Sequence, residues 1–215
     1  ERGLRENPTW ASYLGDRRFD DRWPDLSPDA RARSHAADRA VLEALAAIPV
    51  AELSEADRLN HELFGRTYRQ EIDAHAWGLQ YLPITQRRGI QSAHQIAEVL
   101  PFATVRDYEN WVARLEGVGA YVDQTIALMR EGKARGLVQP CIIMERIPAQ
   151  IARQVVDDPA QSLFYAPLTR MPAAIPEADR QRLDGAARGA IAREVVPAYR
   201  RLQEFFDREY LPACR

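Results

Sequence analysis

The stretch from Pro176 to Leu211 reads PEADRQRLDGAARGAIAREVVPAYRRLQEFFDREYL, and the spacing of its apolar residues decides the fold class. Leu183, Ala187, Ile191, Val195, Tyr199, Leu202 and Phe206 recur every three or four positions. That is the period of one face of an α-helix, not the alternation of a strand. Polar and charged residues fill most of the remaining positions, so one face suits a core and the other suits water. Pro197 falls inside the run. It lacks an N–H and its ring meets the carbonyl four residues back, so the helix is predicted to kink there.

Working outward, the same punctuation recurs along the chain. Residues 157–176 carry Pro159, Pro167, Pro172 and Pro176, which predicts an ordered but mostly irregular crossing segment and the place for an internal boundary in an otherwise single helical region, 1–215. Upstream, Pro140 predicts the start of a helix whose run Ile142-Ile143-Met144 continues past Pro148 to Val156. Thr104 with Asp107 forms a capping box ahead of Tyr108, Trp111, Val112 and Leu115. Gly117 and Gly119 predict a break, and Gly136 a C-terminal cap for the helix carrying Thr125, Leu128 and Met129. A short helix is expected over 93–100, ended by Pro101. Asn7-Pro8, Ser27-Pro28 and Ser54 with Asp57 are N-terminal signals for three further helices. The last of these, to about Trp77, carries Leu59, Leu63, Phe64, Tyr68 and Ile72 as a stripe expected to face a core. Trp10, Trp77, Trp111, Tyr108 and Tyr121 are likewise expected to pack in the core. No segment alternates like a strand, so the fold class is all-α: a multi-helix bundle with long, proline-kinked helices and irregular connecting loops.

Composition excludes more than it selects. With 29 basic against 31 acidic residues the net charge is −2, which argues against a dedicated nucleic-acid binder. No apolar run approaches the roughly 18 residues of a membrane span. Cys141 and Cys214 fit no metal spacing. They read as two unpaired, structurally ordinary thiols, with one long-range disulfide as the alternative, because pairing cannot be deduced from sequence.

Few residues carry a chemical signature. His61-Glu62-Leu63-Phe64-Gly65 begins like the HExxH of zinc peptidases, yet Gly65 stands where the second imidazole would be and cannot ligate zinc. His35, His75 and His94 lie in separate segments and read as surface or half-buried helix residues. Asp16, Asp20, Asp21 and Asp25 lack the spacing of a calcium loop. Interleaved with Arg17, Arg18 and Arg22, they read as local ion pairs. The segment 78–89 breaks the helical pattern at Tyr81-Leu82-Pro83-Ile84-Thr85-Gln86-Arg87-Arg88. It reads as a loop on which two guanidinium groups could grip a carboxylate bidentately. No serine, cysteine or histidine nucleophile pairing and no phosphate-binding glycine loop can be assembled, so catalysis by this chain alone is not expected.

An ordered series of phrases resembles one family. Asn7-Pro8-Thr9-Trp10-Ala11-Ser12-Tyr13-Leu14-Gly15-Asp16 with Pro24-Asp25-Leu26-Ser27 is similar to the opening of bacterial domain-of-unknown-function family 885. Leu53-Ser54-Glu55-Ala56-Asp57, Glu98-Val99-Leu100-Pro101-Phe102, Met144-Glu145-Arg146-Ile147-Pro148, Phe164-Tyr165-Ala166-Pro167 and Val195-Val196-Pro197-Ala198-Tyr199 continue the resemblance in order. It implies an N-terminal region of a longer, exported protein that is periplasmic or lipid-anchored at the cell envelope and resembles helical zinc metallopeptidases. Their HExxH-type helix lies in a C-terminal part that nothing here matches, so no metal ligand or catalytic residue carries over. Any zinc would belong to that part.

The resemblance implies a non-catalytic wall of a substrate cleft. Its partners would be the C-terminal region of the same protein and a peptide substrate, with no nucleic acid and no membrane span. Gln86 sits where the family has a similar glutamine-containing loop, so Gln86, Arg87 and Arg88 are the substrate-contact candidates. The alternative is a stand-alone helical binding or scaffolding module of the cell envelope.

Overall fold

A computed structural model describes residues 1–214 and shows an all-α chain with no strand among them. In chain order the α-helices are α1 (Arg2–Glu6), α2 (Pro8–Tyr13), α3 (Pro28–Ala46), α4 (Glu55–Ala76), α5 (Val105–Glu116), α6 (Val118–Ala134), α7 (Cys141–Met144), α8 (Ile147–Ala152), α9 (Glu177–Ala190) and α10 (Val196–Phe205). Tighter 3₁₀ turns, notably Ile90–Glu98 and Leu163–Arg170, join them.

The expected N-caps are in place. Asn7, Ser27 and Ser54 each accept a hydrogen bond from the backbone N–H three residues on. Thr104 and Asp107 close a full capping box at α5, each satisfying an otherwise orphaned donor. Gly136, at φ 74°, ends α6. Its N–H reaches the Lys133 carbonyl and the Leu137 N–H reaches Gly132, the paired bonds of a Schellman motif.

The chain divides into two compact units: Glu1–Asp25 together with everything from Leu82 onward, and Leu26–Tyr81. The division falls at 25/26 and 81/82, while the proline-rich segment 157–176 lies inside the larger unit. That segment folds as 3₁₀ turns that bury Phe164, Tyr165 and Leu168, so it packs as part of the core.

The core of the larger unit gathers Tyr108, Trp111 and Leu115 of α5, Val118, Val122 and Met129 of α6, Ile147 and Ile151 of α8, and the stripe predicted from 183 to 206. The Trp111 indole N–H donates to the Phe164 carbonyl at 3.1 Å, and the Tyr199 hydroxyl to the Ile90 carbonyl at 2.5 Å, so the polar ends of the large rings are satisfied where they are buried.

Some expectations are refined and others corrected. The α9–α10 run passes through a π-helical turn, Ile191–Val195, and Pro197 stands within the first two positions of α10. The wider turn shifts the hydrogen-bond register, which lets a residue without an N–H follow. The helix expected from Pro140 to Val156 breaks at Glu145–Arg146, and Pro148 falls within the first two positions of α8, where its missing N–H costs nothing. The break expected at Gly117 and Gly119 is a single turn residue, Gly117 at φ −80°, between α5 and α6, and Gly119 lies inside α6. Residues 90–98 are 3₁₀, not α. Trp10 and Trp77 are exposed, and Leu59, Leu63 and Phe64 of α4 are about half exposed, so neither the two indoles nor that stripe is core.

Cys141 and Cys214 are joined in a disulfide, with Cα atoms 5.0 Å apart. The unpaired-thiol expectation therefore fails. Spacing in sequence could not reveal that the entry to α7 and the segment after α10 are neighbours.

Within the smaller unit, α3 and α4 pack as a helical hairpin. Gly65 is buried, and a Cβ there would come within 3.0 Å of Leu45 Cδ2. His61 Nε2 bonds the Leu45 carbonyl at 3.0 Å, tying the end of α3 to α4. The HExxH-like phrase thus serves close helix packing. His35 and His75, far apart in sequence, stack with centroids 4.1 Å apart.

Candidate functional site

The loop over 83–89 is built, not slack. Ile84 is fully buried and fixes one end, and its carbonyl accepts from Gln139 Nε2 at 3.2 Å. Thr85 closes the turn twice: its N–H donates to the Arg88 carbonyl at 2.8 Å, and its hydroxyl accepts from the Arg88 N–H at 3.1 Å. Gln86 and Arg87 are left exposed at the tip. Gly89, at φ 141°, takes a conformation that L side chains rarely adopt, and a Cβ there would lie 2.5 Å from Gln91 Oε1. That clearance lets the Gln91 side chain fold back under the turn, where Nε2 donates to the Thr85 carbonyl at 2.8 Å.

Across from this turn stands the end of α8. Gln150 Nε2 donates to the Gln86 carbonyl at 3.3 Å. Gln154, only 1% exposed, pairs through Nε2 with His94 Nδ1 at 3.0 Å. Between them lies a cavity of about 490 Å³ lined by Gln86, Arg87, Gln91, His94, Gln150, Arg153 and Gln154, among others. That volume is in the range of small-ligand sites, ~300–1,000 Å³.

Its electrostatics are one-sided. No carboxylate lines the cavity, and neither the Arg87 nor the Arg153 guanidinium has a hydrogen bond or ion pair among the described residues. Burial, and secondarily the positive charge of Arg153, hold the His94 pKa below the usual histidine value against a weaker opposing pull from Glu98. Gln91 Oε1 and Gln154 Oε1 are buried without a donor, an uncommon condition for buried acceptors. The cavity is lined by amide donors and two unneutralised cations, with the buried Gln154 side chain on one wall.

The sequence-predicted residues divide here. Gln86 and Arg87 line the cavity. Arg88 instead faces, with Arg87, a smaller neighbouring hollow of about 200 Å³ beside Tyr13, Trp23 and Tyr121. Arg153, Gln154, Gln91 and His94 escaped sequence reasoning. The only available signal was the i, i+3, i+4 spacing of Gln150, Arg153 and Gln154 on an otherwise apolar helix.

Two other charged regions hold matched pairs. The 460 Å³ hollow lined by residues of α6 and α10 holds Arg130 paired with Glu209 at 2.5 Å and Arg201 with Asp123 at 3.0 Å. The acidic stretch at 16–25 forms the local pairs Arg18–Asp16 and Arg22–Asp21, each at 2.7 Å. Among the described residues no group of three histidine, cysteine or acidic side chains could hold a metal ion.

The fold and the cavity define an all-α protein with a polar cavity lined by arginine and glutamine side chains. The chain belongs to the family described as bacterial protein of unknown function, DUF885, whose profile matches residues 8–215. It is also similar in fold to a crystal structure from Colwellia psychrerythraea of a protein described as a candidate lipoprotein. The TM-score is 0.81 at 12% identity, and the match covers 99% of this chain but 39% of that one. No curated protein shows significant sequence similarity to the chain.

Proposed function

We propose that this chain forms the non-catalytic, substrate-binding wall of a larger, zinc-metallopeptidase-like protein of the bacterial cell envelope. The observation that carries the reading is the cleft between the 85–88 turn and the end of α8. Its glutamine amides, some with unpaired oxygens, offer both the donors and the acceptors that a peptide backbone requires.

The length of the Colwellia relative, of which this chain covers 39%, supports a further part that would supply the metal and the chemistry. A disulfide suits an oxidising compartment and so favours export, periplasmic or lipid-anchored. The half-exposed Leu59, Leu63 and Phe64 offer an apolar face on which such a part could pack.

The test uses the full-length protein. Bound zinc should be present at about one equivalent, and Gln86→Ala combined with Arg87→Ala should raise KM for peptide substrates about tenfold with kcat little changed, the pattern of lost binding without lost chemistry. An unchanged KM, or a full-length protein without zinc or peptidase activity, overturns the reading in favour of a stand-alone binding or scaffolding module.

A further inference from the structure

Within that reading of the cleft as a peptide-binding wall, we infer that it receives the C-terminal end of a peptide. The free α-carboxylate meets Arg87 and Arg153, and the amide N–H just before it meets Gln154.

Two independent features lead there. The first is charge. Arg87 on the turn and Arg153 at the end of α8 line one cavity, make no bond to the rest of the described chain, and face no acidic side chain across it. A guanidinium is a planar fork of donors whose geometry matches a carboxylate, and two of them without a counter-ion make a site for an anion.

The second feature selects among anions. Gln154 lines the cavity, is 1% exposed, and keeps its Oε1 buried without a partner. An amide oxygen accepts and cannot donate, so it calls for an N–H or O–H group from the occupant. Inorganic phosphate or sulfate meets the arginines but supplies few donors or none. A peptide terminus presents both the carboxylate and, within one residue, an amide N–H.

Isothermal titration calorimetry on the chain tests this with three probes: N-acetyl-trialanine as the free acid, the same peptide as its C-terminal amide, and inorganic phosphate. The acid should bind at least tenfold more tightly than either of the others. Arg87→Gln with Arg153→Gln should erase the difference between acid and amide, and Gln154→Leu should weaken both peptides while leaving phosphate unaffected. Circular dichroism melting of each variant establishes that it is folded.

Equal binding of acid and amide would overturn the carboxylate assignment and leave the peptide-wall reading standing. Phosphate binding as tightly as the acid would reduce the cleft to a general anion site. Binding of neither peptide would overturn both readings.

Discussion

At the scale of single residues, the largest commitment of buried charge is Arg114. It has no exposed surface, its Nη2 donates to Ser12 Oγ at 3.2 Å and to the Phe19 carbonyl at 2.9 Å, and its guanidinium lies 5.2 Å from the Trp23 ring centroid. Nε and Nη1 are buried without acceptors. Burial pushes its pKa down to about 10, against the weaker pull of Asp20 and Asp21, so it stays charged at neutral pH. The arginine thereby binds the first 25 residues of the larger unit to α5. Arg114→Ala should lower the unfolding free energy by about 3–5 kcal/mol, since it opens a cavity and leaves the buried Asp20 with only the Arg17 guanidinium, at 3.7 Å, as nearby positive charge. Arg114→Met keeps the bulk and removes the poorly satisfied charge, so it should recover at least half of that loss. Urea denaturation of the two variants reads both values, and a Met variant as unstable as the Ala variant would place the stability in the polar contacts instead of the packing.

At the scale of elements, local chemistry was the most legible part of the sequence. The caps at Asn7, Ser27, Ser54 and Thr104 were readable because each depends on residues within a turn of one another. The stripe from Leu183 to Phe206 was readable because a period persists whether the backbone winds as α or π. Hidden were the features set by distant partners: the π turn ahead of Pro197, the break at Glu145–Arg146, and the pairing of Cys141 with Cys214. Half of the candidate cleft was equally hidden. The turn carrying Gln86 and Arg87 announced itself by polarity and broken periodicity, but nothing local showed that α8 would stand opposite. The disulfide spans a sequence separation of 73, so removing it should relax a long constraint on the unfolded chain. Cys141→Ser with Cys214→Ser is expected to cost about 2–5 kcal/mol. Thermal or urea unfolding checks this, and reducing agent should shift the parent protein to match the double variant while leaving the variant unchanged.

At the scale of the whole molecule, acid sensitivity is shared between the two units. His94 in the larger unit and His75 in the smaller both have lowered pKa values, chiefly from burial, with Arg153 acting on the first and His35 and Arg31 on the second. Below the ordinary histidine value of about 6.5 the unfolded chain takes up protons before the folded one does, so stability is full above that pH and falls as the pH drops toward the folded-state values. Melting temperature should therefore decline between pH 7 and pH 5, and His94→Gln with His75→Gln should make that decline shallower. An identical slope in the double variant would assign the acid sensitivity to carboxylates.

The disulfide also has a topological consequence. Its closed ring of chain runs from α7 through α8, the proline-rich crossing and α10, and so contains Arg153 and Gln154 of the cleft. A protease that cut the exposed backbone near Ala173 and Ala174 would sever the polypeptide without releasing either piece, because both would stay covalently joined. Damage in that span would leave the cleft tethered together, and only loss of the sulfur link would let it come apart.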